Sequence, residues 1–139
     1  MVKTQTINVK TRGNCDVVDI SGPVRQAVAQ AGLSNGVATL FIVGSTGGIT
    51  TVEYEPGLVN HDLAAAFERL APQSAVYEHE KTWHDDNGHA HVRASLLGPS
   101  LTAPFIDRRL QLGTWQQIVL IDFDTRPRSR QIVVQVVGE

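Results

Sequence analysis

The pattern of apolar and polar positions predicts a chain built mainly from short strands. Residues 5–10 alternate polar with apolar side chains, and residues 16–20 follow after a Gly-Asn turn, which predicts an opening β-hairpin. Residues 37–43 are a near-continuous apolar run, typical of a central strand that is buried on both faces of a sheet. Several β-rich segments follow from residue 100, so the C-terminal third is predicted to be mainly sheet.

Helical patterns interrupt these strands at three places. Apolar residues repeat at helical spacing between Pro23 and Gly32, and again over residues 59–70 before a proline. A shorter helix is expected over residues 88–97, where a Gly-Pro pair ends it. Strands with a few interspersed helices and no regular β-α-β rhythm predict an α+β fold, with a large mixed β-sheet or paired sheets and two main helices against one face.

Composition narrows the class of protein. With 139 residues, 42% of them hydrophobic and 19% charged, the chain is expected to form a single domain over residues 1–139 with its own core. It has no apolar run long enough to span a membrane and no secretory leader, and its one cysteine fits a reducing compartment, so we expect a cytoplasmic protein. A net charge of -2 gives no general attraction to nucleic acid.

Histidines are concentrated in one short stretch. Four of the five lie between residues 79 and 91, at His79, His84, His89 and His91, interleaved with acidic residues. Such density supplies the imidazoles and neighbouring carboxylates of a metal or proton-transfer site, although a solvated polar loop is the alternative interpretation. In a helix, residues two apart point about 200° away from each other, so only one of His89 and His91 is expected to serve as a ligand.

Two further segments have the chemistry of an anion site. A Gly-rich turn at residues 44–48 follows the apolar strand, where backbone amides and hydroxyls can face an anion; a simple bend between strands is the alternative. Arginines at alternate positions near the C-terminus would form a cationic row along an extended segment, unless they only protect a solvated edge strand from aggregation. The candidate anion contacts are Ser45, Thr46, Gly47, Gly48, Arg126, Arg128 and Arg130.

Several motifs together resemble one protein family over essentially the whole chain. They are Asp85-Asp-Asn-Gly-His-Ala-His91, Ala94-Ser-Leu-Leu-Gly-Pro-Ser100 and Leu112-Gly-Thr-Trp-Gln-Gln-Ile118, followed by Phe123-Asp124, Arg130 and Gly138-Glu139. The chain is similar to the YjbQ-like family of small uncharacterised proteins, some of which are associated with a secondary thiamine-phosphate synthase activity. The resemblance implies an α+β homotrimer with a histidine-lined site near the subunit boundary.

The resemblance also implies roles for individual residues. The family's Tyr-x-His motif places its histidine at His79, and its histidine after an acidic-Asn segment matches His91. The histidine of its common His-Thr-Thr or His-Thr-Ser motif is replaced here by Ser45, so a third ligand would have to come from His84 or His89. The metal ligands expected are His79, His84 and His91, for zinc or another first-row divalent ion, or for magnesium with a diphosphate substrate.

Three functions remain open at this point. The first is a transferase that resembles thiamine-phosphate synthase, with a divalent ion, the Gly-rich turn and the arginine row stabilising a diphosphate leaving group. The second is a metal-dependent phosphoester hydrolase, in which Glu53 or Asp86 activates water and His91 is a further catalytic candidate. The third is a non-catalytic trimeric module that binds metal or anions. The expected partners are further copies of the chain and a small phosphorylated molecule, with no nucleic acid and no membrane.

Overall fold

The computed structural model describes all residues, Met1–Glu139, and has an α+β fold with eight strands and four α-helices. The strands are β1 (Val2–Thr11), β2 (Asp16–Asp19), β3 (Gly36–Val43), β4 (Gly47–Glu53), β5 (Ser100–Ile106), β6 (Arg109–Leu110), β7 (Gln116–Asp122) and β8 (Arg128–Gly138). The helices are α1 (Ser21–Ala31), α2 (Leu63–Leu70), α3 (Glu78–Trp83) and α4 (Gly88–Leu97). A π-helical turn (Leu58–Asp62) runs directly into α2.

The strands form two sheets, which is the paired-sheet form of the predicted architecture. A five-stranded sheet has the order β1-β8-β3-β5-β6, and a three-stranded sheet has the order β2-β7-β4. Every strand pair is antiparallel, so neither sheet is mixed in the sense of combining parallel and antiparallel pairs. The C-terminal third contributes four of the strands, as its β-rich sequence predicts.

The predicted opening hairpin is wrong. β1 pairs with β8 and β2 pairs with β7, so the two segments enter different sheets. Gly13, Asn14 and Cys15 have positive φ angles of 77°, 53° and 66°, and this left-handed stretch turns the chain from one sheet to the other. A Cβ at Gly13 would lie 2.6 Å from the carbonyl oxygen of Arg126, so glycine is required at the crossing.

The three-stranded sheet lies between two hydrophobic cores. Ile118 and Leu120 of β7 join the core formed with α1 and the five-stranded sheet. Val119 and Ile121 point the other way and join the core formed with α2 and α4. The strand buried on both faces is therefore β7, and the main helices α1 and α2 cover different layers instead of one face as predicted.

The apolar run at residues 37–43 forms most of β3, which is central in its sheet but open on one side. Its even-numbered residues point into the core, whereas the odd-numbered residues point away from it, and no helix covers them. The prediction that this strand is buried on both faces is therefore wrong for a single chain. We call this side of the five-stranded sheet the outer face. Its exposed large apolar residues are Val2, Val37, Phe41, Val43, Ile106 and Val137.

The helices agree better with the sequence patterns than the strand pairings do. α1 ends at Gly32, which adopts the left-handed conformation with φ of 72°, and α4 covers the residues that the Gly-Pro stop predicts. The π-helical turn before α2 and the whole of α3 are not foreseen by the apolar periodicity. None of the helices has the length and apolar character needed to cross a membrane.

Candidate functional site

Two of the clustered histidines come together where α3 meets α4. His79 lies on α3 and His91 on α4, and the centroids of their rings are 4.4 Å apart. His79 Nε2 also lies 3.4 Å from Oδ2 of Asp85, in the loop between the two helices. Folding therefore gathers two imidazoles and one carboxylate, all three partly buried.

The contact between α3 and α4 depends on Gly88. A Cβ at this position would lie 2.5 Å from Cβ of Tyr77, so only glycine lets the first turn of α4 approach the start of α3. Glu80 closes the junction, because its Oε1 accepts a hydrogen bond from the Gly88 amide at 3.0 Å and its Oε2 accepts one from the Tyr77 amide at 3.3 Å. These contacts fix the relative position of the helices that carry His79 and His91.

Three polar atoms around this pair are buried without hydrogen-bond partners: His79 Nε2, Asp85 Oδ1 and Asn87 Oδ1. The amide group of Asn87 is anchored on its other side, where Nδ2 donates to Asp124 Oδ1 at 3.5 Å. Buried polar groups nearly always have a partner. Within one chain these three atoms therefore lack the partners that buried polar atoms normally have.

A wholly polar cleft adjoins Asp85. It has a volume of about 580 Å³ and is lined by His84, Asp85, Asp86, Thr125 and Arg126. Thr125 Oγ1 donates to Asp86 Oδ1 at 3.0 Å and so connects the loop between α3 and α4 to the turn after β7. Arg126 is exposed and forms no ion pair within the chain. The cleft thus combines an unpaired guanidinium and an imidazole with the two carboxylates of Asp85 and Asp86.

A buried ionic network joins β7, β8 and the Gly-rich turn. Arg130 donates from Nε and Nη2 to the two carboxylate oxygens of Asp122 at 2.7 and 2.8 Å, and from Nη2 to Thr46 Oγ1 at 2.6 Å. Thr46 in turn donates to Asp124 Oδ2 at 3.1 Å. The same Oδ2 accepts a hydrogen bond from Arg128 Nε at 3.0 Å. Both carboxylates are buried, and each is paired with an arginine.

The network keeps its buried groups charged. Burial alone would raise the pKa of Asp124. The pKa is nevertheless lower than usual, because the Thr125 amide donates a hydrogen bond to the carboxylate and the charge of Arg128 stabilises its ionised form. The pKa of Arg130 is raised chiefly by its hydrogen bonds to Asp122, which outweigh the opposing effect of burial. The two arginines and the two aspartates therefore form a balanced set of charges.

Most of the predicted arginine row is not available to an anion. Arg130 is buried and bound to Asp122, and Arg128 Nη2 lies 2.9 Å from Asp124 Oδ2. The alternate spacing on β8 does bring Arg128 and Arg130 to one side of the strand. That side faces Asp122, the last residue of β7, and Asp124, which follows it. The expectation of a free three-arginine row is therefore corrected to Arg126 alone.

The Gly-rich turn is likewise used for packing. A Cβ at Gly47 would lie 2.7 Å from a side chain of β3, and a Cβ at Gly48 would lie 2.7 Å from a side chain of α4. The two glycines thus allow β4 to approach its neighbours closely, while the Thr46 hydroxyl is consumed in the ionic network. Ser45 remains exposed but lines a separate cavity of about 270 Å³, so the four residues do not form one anion site.

Glu53 does not lie near the clustered histidines. β4 pairs Gly47 with Asp122 at one end and Glu53 with Gln116 at the other, and the two ends are about 20 Å apart. The loop between α3 and α4 contacts the residues that follow Asp122, at the Gly47 end of β4. The expectation that Glu53 assists this site is therefore corrected for a single chain, whereas Asp86 does line the cleft.

One chain does not assemble three metal ligands. His79, His91 and Asp85 are neighbours, but no three His, Cys, Asp or Glu side chains are arranged so that they could hold one ion. His84 ends α3 with a φ of 57° and lines the polar cleft, and His89 is buried on another side of α4. The expected set of three is thus reduced to the pair His79 and His91, and the helical geometry explains why His89 cannot join them.

Sequence reasoning missed the carboxylates that organise this region. Asp122 and Asp124 follow an apolar strand with only Phe123 between them, and a charged residue so placed needs a partner inside the fold. This placement predicts buried partners of opposite charge, and the arginines within residues 126–130 are the nearest such residues in the sequence. Asp85, directly after His84, is distinguished from its acidic neighbours only by the fold.

Comparison with known proteins settles the family. The family model described as UPF0047 protein YjbQ-like matches residues 5–139. The chain belongs to this family. A UPF0047 protein of Methanothermobacter thermautotrophicus is 36% identical over 138 residues, which cover 99% of this chain and 94% of the relative. The UPF0047 protein YjbQ of Escherichia coli is 32% identical over 137 residues, which cover 99% of this chain and 97% of the relative.

Solved structures of YjbQ-like proteins share the fold. The crystal structure of a YbjQ-like protein of unknown function from Sulfolobus solfataricus matches with a TM-score of 0.88 and 31% identity, covering 100% of both chains. That of a hypothetical protein from Aeropyrum pernix matches with a TM-score of 0.90 and 29% identity, covering 99% of both chains. Curled antiparallel sheets with few helices are therefore the family architecture, and the resemblance carried by the sequence motifs is confirmed.

Proposed function

We propose that this YjbQ-like protein is a metal-dependent enzyme acting on a small phosphorylated molecule, with thiamine-phosphate synthesis as the reaction to test first. The observation that carries the proposal is the group of unpartnered atoms on His79 and Asp85 beside a polar cleft in which Arg126 has no ion pair. In this proposal the imidazoles and Asp85 would serve as metal donors, and Arg126 would bind phosphate from the adjoining cleft. We propose a cytoplasmic location, since a single cysteine agrees with a reducing compartment.

The side chains present are suitable donors for a divalent ion. Imidazole nitrogens and a carboxylate oxygen suit zinc and other first-row ions, and magnesium would suit a diphosphate substrate. His79 and His91 would hold the ion, with Asp85 beside them. Because one chain brings no third ligand, the remaining positions would be filled by substrate oxygens, water or a second copy of the chain. When bound, such an ion neutralises charge that develops on a diphosphate leaving group.

The other residues of the cleft have roles that follow from their chemistry. Arg126 and His84 would bind phosphate oxygens, Arg126 through charge-assisted hydrogen bonds. Asp86, held by the Thr125 hydroxyl, would activate water in a phosphoester hydrolysis, and its place in the cleft keeps hydrolysis as the second candidate function.

The deciding experiment supplies a pyrimidine methyl diphosphate and a thiazole phosphate to untagged protein, with zinc, manganese or magnesium in turn. In this reaction the thiazole nitrogen bonds to the pyrimidine methyl carbon, the carbon-oxygen bond breaks and pyrophosphate leaves. Because Ser45 replaces the family's motif histidine, we expect slow release of pyrophosphate that requires an added ion. Phosphate release from simple esters without a thiamine product would favour the hydrolase, and no turnover with any ion would favour a non-catalytic binding module.

We propose in addition that the chain works as a homotrimer. The outer face of the five-stranded sheet carries six exposed large apolar side chains on neighbouring strands, and no element of the same chain covers them. A cross-strand row of polar residues divides these side chains into two groups; the row consists of Thr4, Gln135, Thr39 and Thr102. Apolar patches on an exposed protein surface mark interaction sites. Association through this face would also let one copy supply the ligand that another lacks.

Light scattering is expected to give a particle mass three times the 15.1 kDa of one chain. Phe41 lies on the outer face towards the C-terminal end of β3 and is 48% exposed, so Phe41→Glu should place a charge in the interface and release monomers. Leu70→Glu is the matched control, because Leu70 is 68% exposed but lies on α2, away from this face. A monomeric mass for the wild type, or an unchanged mass for Phe41→Glu, would contradict the proposal.

A further inference from the structure

Helix α4 presents histidines to two different places. His91 meets His79 in the candidate site, whereas His89 is only 2% exposed and lines a cavity on another side of the helix. Residues two positions apart in an α-helix point about 200° away from each other around the helix axis, so His89 and His91 face different sides of α4. The second cavity is therefore separate from the site proposed for phosphorylated molecules.

This cavity is a cleft between the turn after β1, the π-helical turn, α2 and α4. It has a volume of about 390 Å³, and its lining includes Asn14, Cys15, Asn60, Gln73 and His89. We call it the His89 cleft. It continues into a second cavity of about 390 Å³ that shares Asn14, Cys15 and Asn60 with it. Each part has the size of an ordinary small-molecule site, roughly 300–1,000 Å³.

The cleft contains hydrogen-bonding groups that the protein does not use. His89 Nδ1 is buried and has no partner. Asn14, Asn60 and Gln73 are exposed residues that line the cleft, and their carboxamide groups form no hydrogen bond within the chain. A buried imidazole nitrogen without a partner is an exception in folded proteins and points to a missing partner. Asn60 is carried by the π-helical turn, a feature that recurs at functional sites.

The charged groups around the cleft are already paired. Arg93 Nη2 lies 2.6 Å from Glu68 Oε2, and Arg93 Nε donates to the carbonyl oxygen of Ala71 at 2.9 Å. At the other end of the cleft, Arg12 Nη2 lies 3.1 Å from Asp16 Oδ1. Neither an anion nor a cation would find an unpaired opposite charge at these ion pairs.

The thiol in the cleft also stays uncharged. Burial is the main reason that the pKa of Cys15 is raised to about 11, so the thiol is protonated at neutral pH. Ala64 and Ala65 of α2 add apolar wall next to the carboxamides. The cleft thus combines uncharged donors and acceptors with small apolar surfaces, which complements a flat, neutral, polar ring.

We propose that the His89 cleft binds a neutral nitrogen heterocycle with adjacent hydrogen-bond donors and acceptors, of the kind found in nucleobases and pyridine carboxamides. The carboxamides of Asn14, Asn60 and Gln73 each offer a donor and an acceptor to the edge of such a ring. His89 forms part of the cleft lining, and a small movement of its ring would let Nδ1 accept or donate a further hydrogen bond. The alanine side chains of α2 contact the ring face.

The experiment titrates adenine, cytosine and nicotinamide separately into isotope-labelled wild-type protein and follows its backbone amide signals by NMR. At least one probe should give saturable shifts centred on Asn14, Asn60 and His89. Asn60→Ala should weaken that binding by roughly tenfold, because one direct hydrogen bond is lost. Asn60 is exposed, so the fold should survive, and an otherwise unchanged spectrum checks this.

Asn8→Ala is the matched control, since Asn8 is an exposed asparagine on β1 outside the cleft and its loss should leave the affinity unchanged. Benzoate and inorganic phosphate serve as charged probes and should not shift the cleft residues. The proposal is overturned if all three heterocycles leave these signals unshifted at millimolar concentration. It is equally overturned if a charged probe binds there instead, or if Asn60→Ala binds the heterocycle as well as the wild type does.

Discussion

Replacing Asp122 by alanine is expected to lower the free energy of unfolding by about 3–5 kcal/mol. Asp122 is fully buried and accepts hydrogen bonds from Nε and Nη2 of Arg130, which is itself only 8% exposed. Without this carboxylate, a buried guanidinium keeps only Thr46 at hydrogen-bonding distance, with Asp124 Oδ2 at 3.8 Å. The large effect comes from leaving a charge buried and unpaired, and not from the intrinsic strength of one ion pair.

Urea unfolding followed by circular dichroism measures this effect. Glu78→Ala is the matched control, because Glu78 and Lys81 form an ion pair of 2.8 Å whose members are both largely exposed, and its loss should cost less than about 1 kcal/mol. The double variant Asp122→Leu with Arg130→Met removes both charges and should recover most of the loss. Equal destabilisation by Asp122→Ala and Glu78→Ala would show that burial does not control the energetics of this network.

Replacing His91 by alanine is expected to reduce kcat/KM by at least about 100-fold in the assay that detects turnover. His91 lies against His79 and is one of the two imidazoles available to an ion, so the variant loses a metal donor. Calorimetry with zinc should show a parallel loss of metal affinity. The unfolding midpoint should change little, because His91 is only partly buried and forms no side-chain hydrogen bond.

Two further variants separate catalysis from binding. His61→Ala removes an exposed histidine outside the candidate site and should leave turnover unchanged. Arg126→Ala should raise KM for a phosphorylated substrate by roughly tenfold with a smaller change in kcat, and high salt should reduce the difference from the wild type. Robust turnover and normal zinc binding in His91→Ala would refute the assigned site.

The residues near one another in the sequence were enough to predict the part of the candidate site that lies on α4. The Gly-Pro stop placed α4, and helical spacing then separated His89 from His91, as the structure confirms. Motif resemblance identified the family. The same reasoning failed for Glu53, because its position relative to the histidines depends on the direction in which β4 runs along β7. Strand direction and partner choice leave no signature in the residues of a single strand.

The sequence by itself determined the limits of α1 and α4, the density of histidines in one short stretch and the family of the protein, since these depend on spacing between near neighbours in the chain. Only the tertiary structure decided that β1 and β2 enter different sheets, and that Arg130 pairs with Asp122 instead of facing solvent. The apolar pattern of a strand or helix predicts that one face is buried, but it does not identify the surface that covers this face. The arginines of β8 look like a binding row until the buried aspartates of β7 are placed beside them, because long-range packing chooses the partner of each charge.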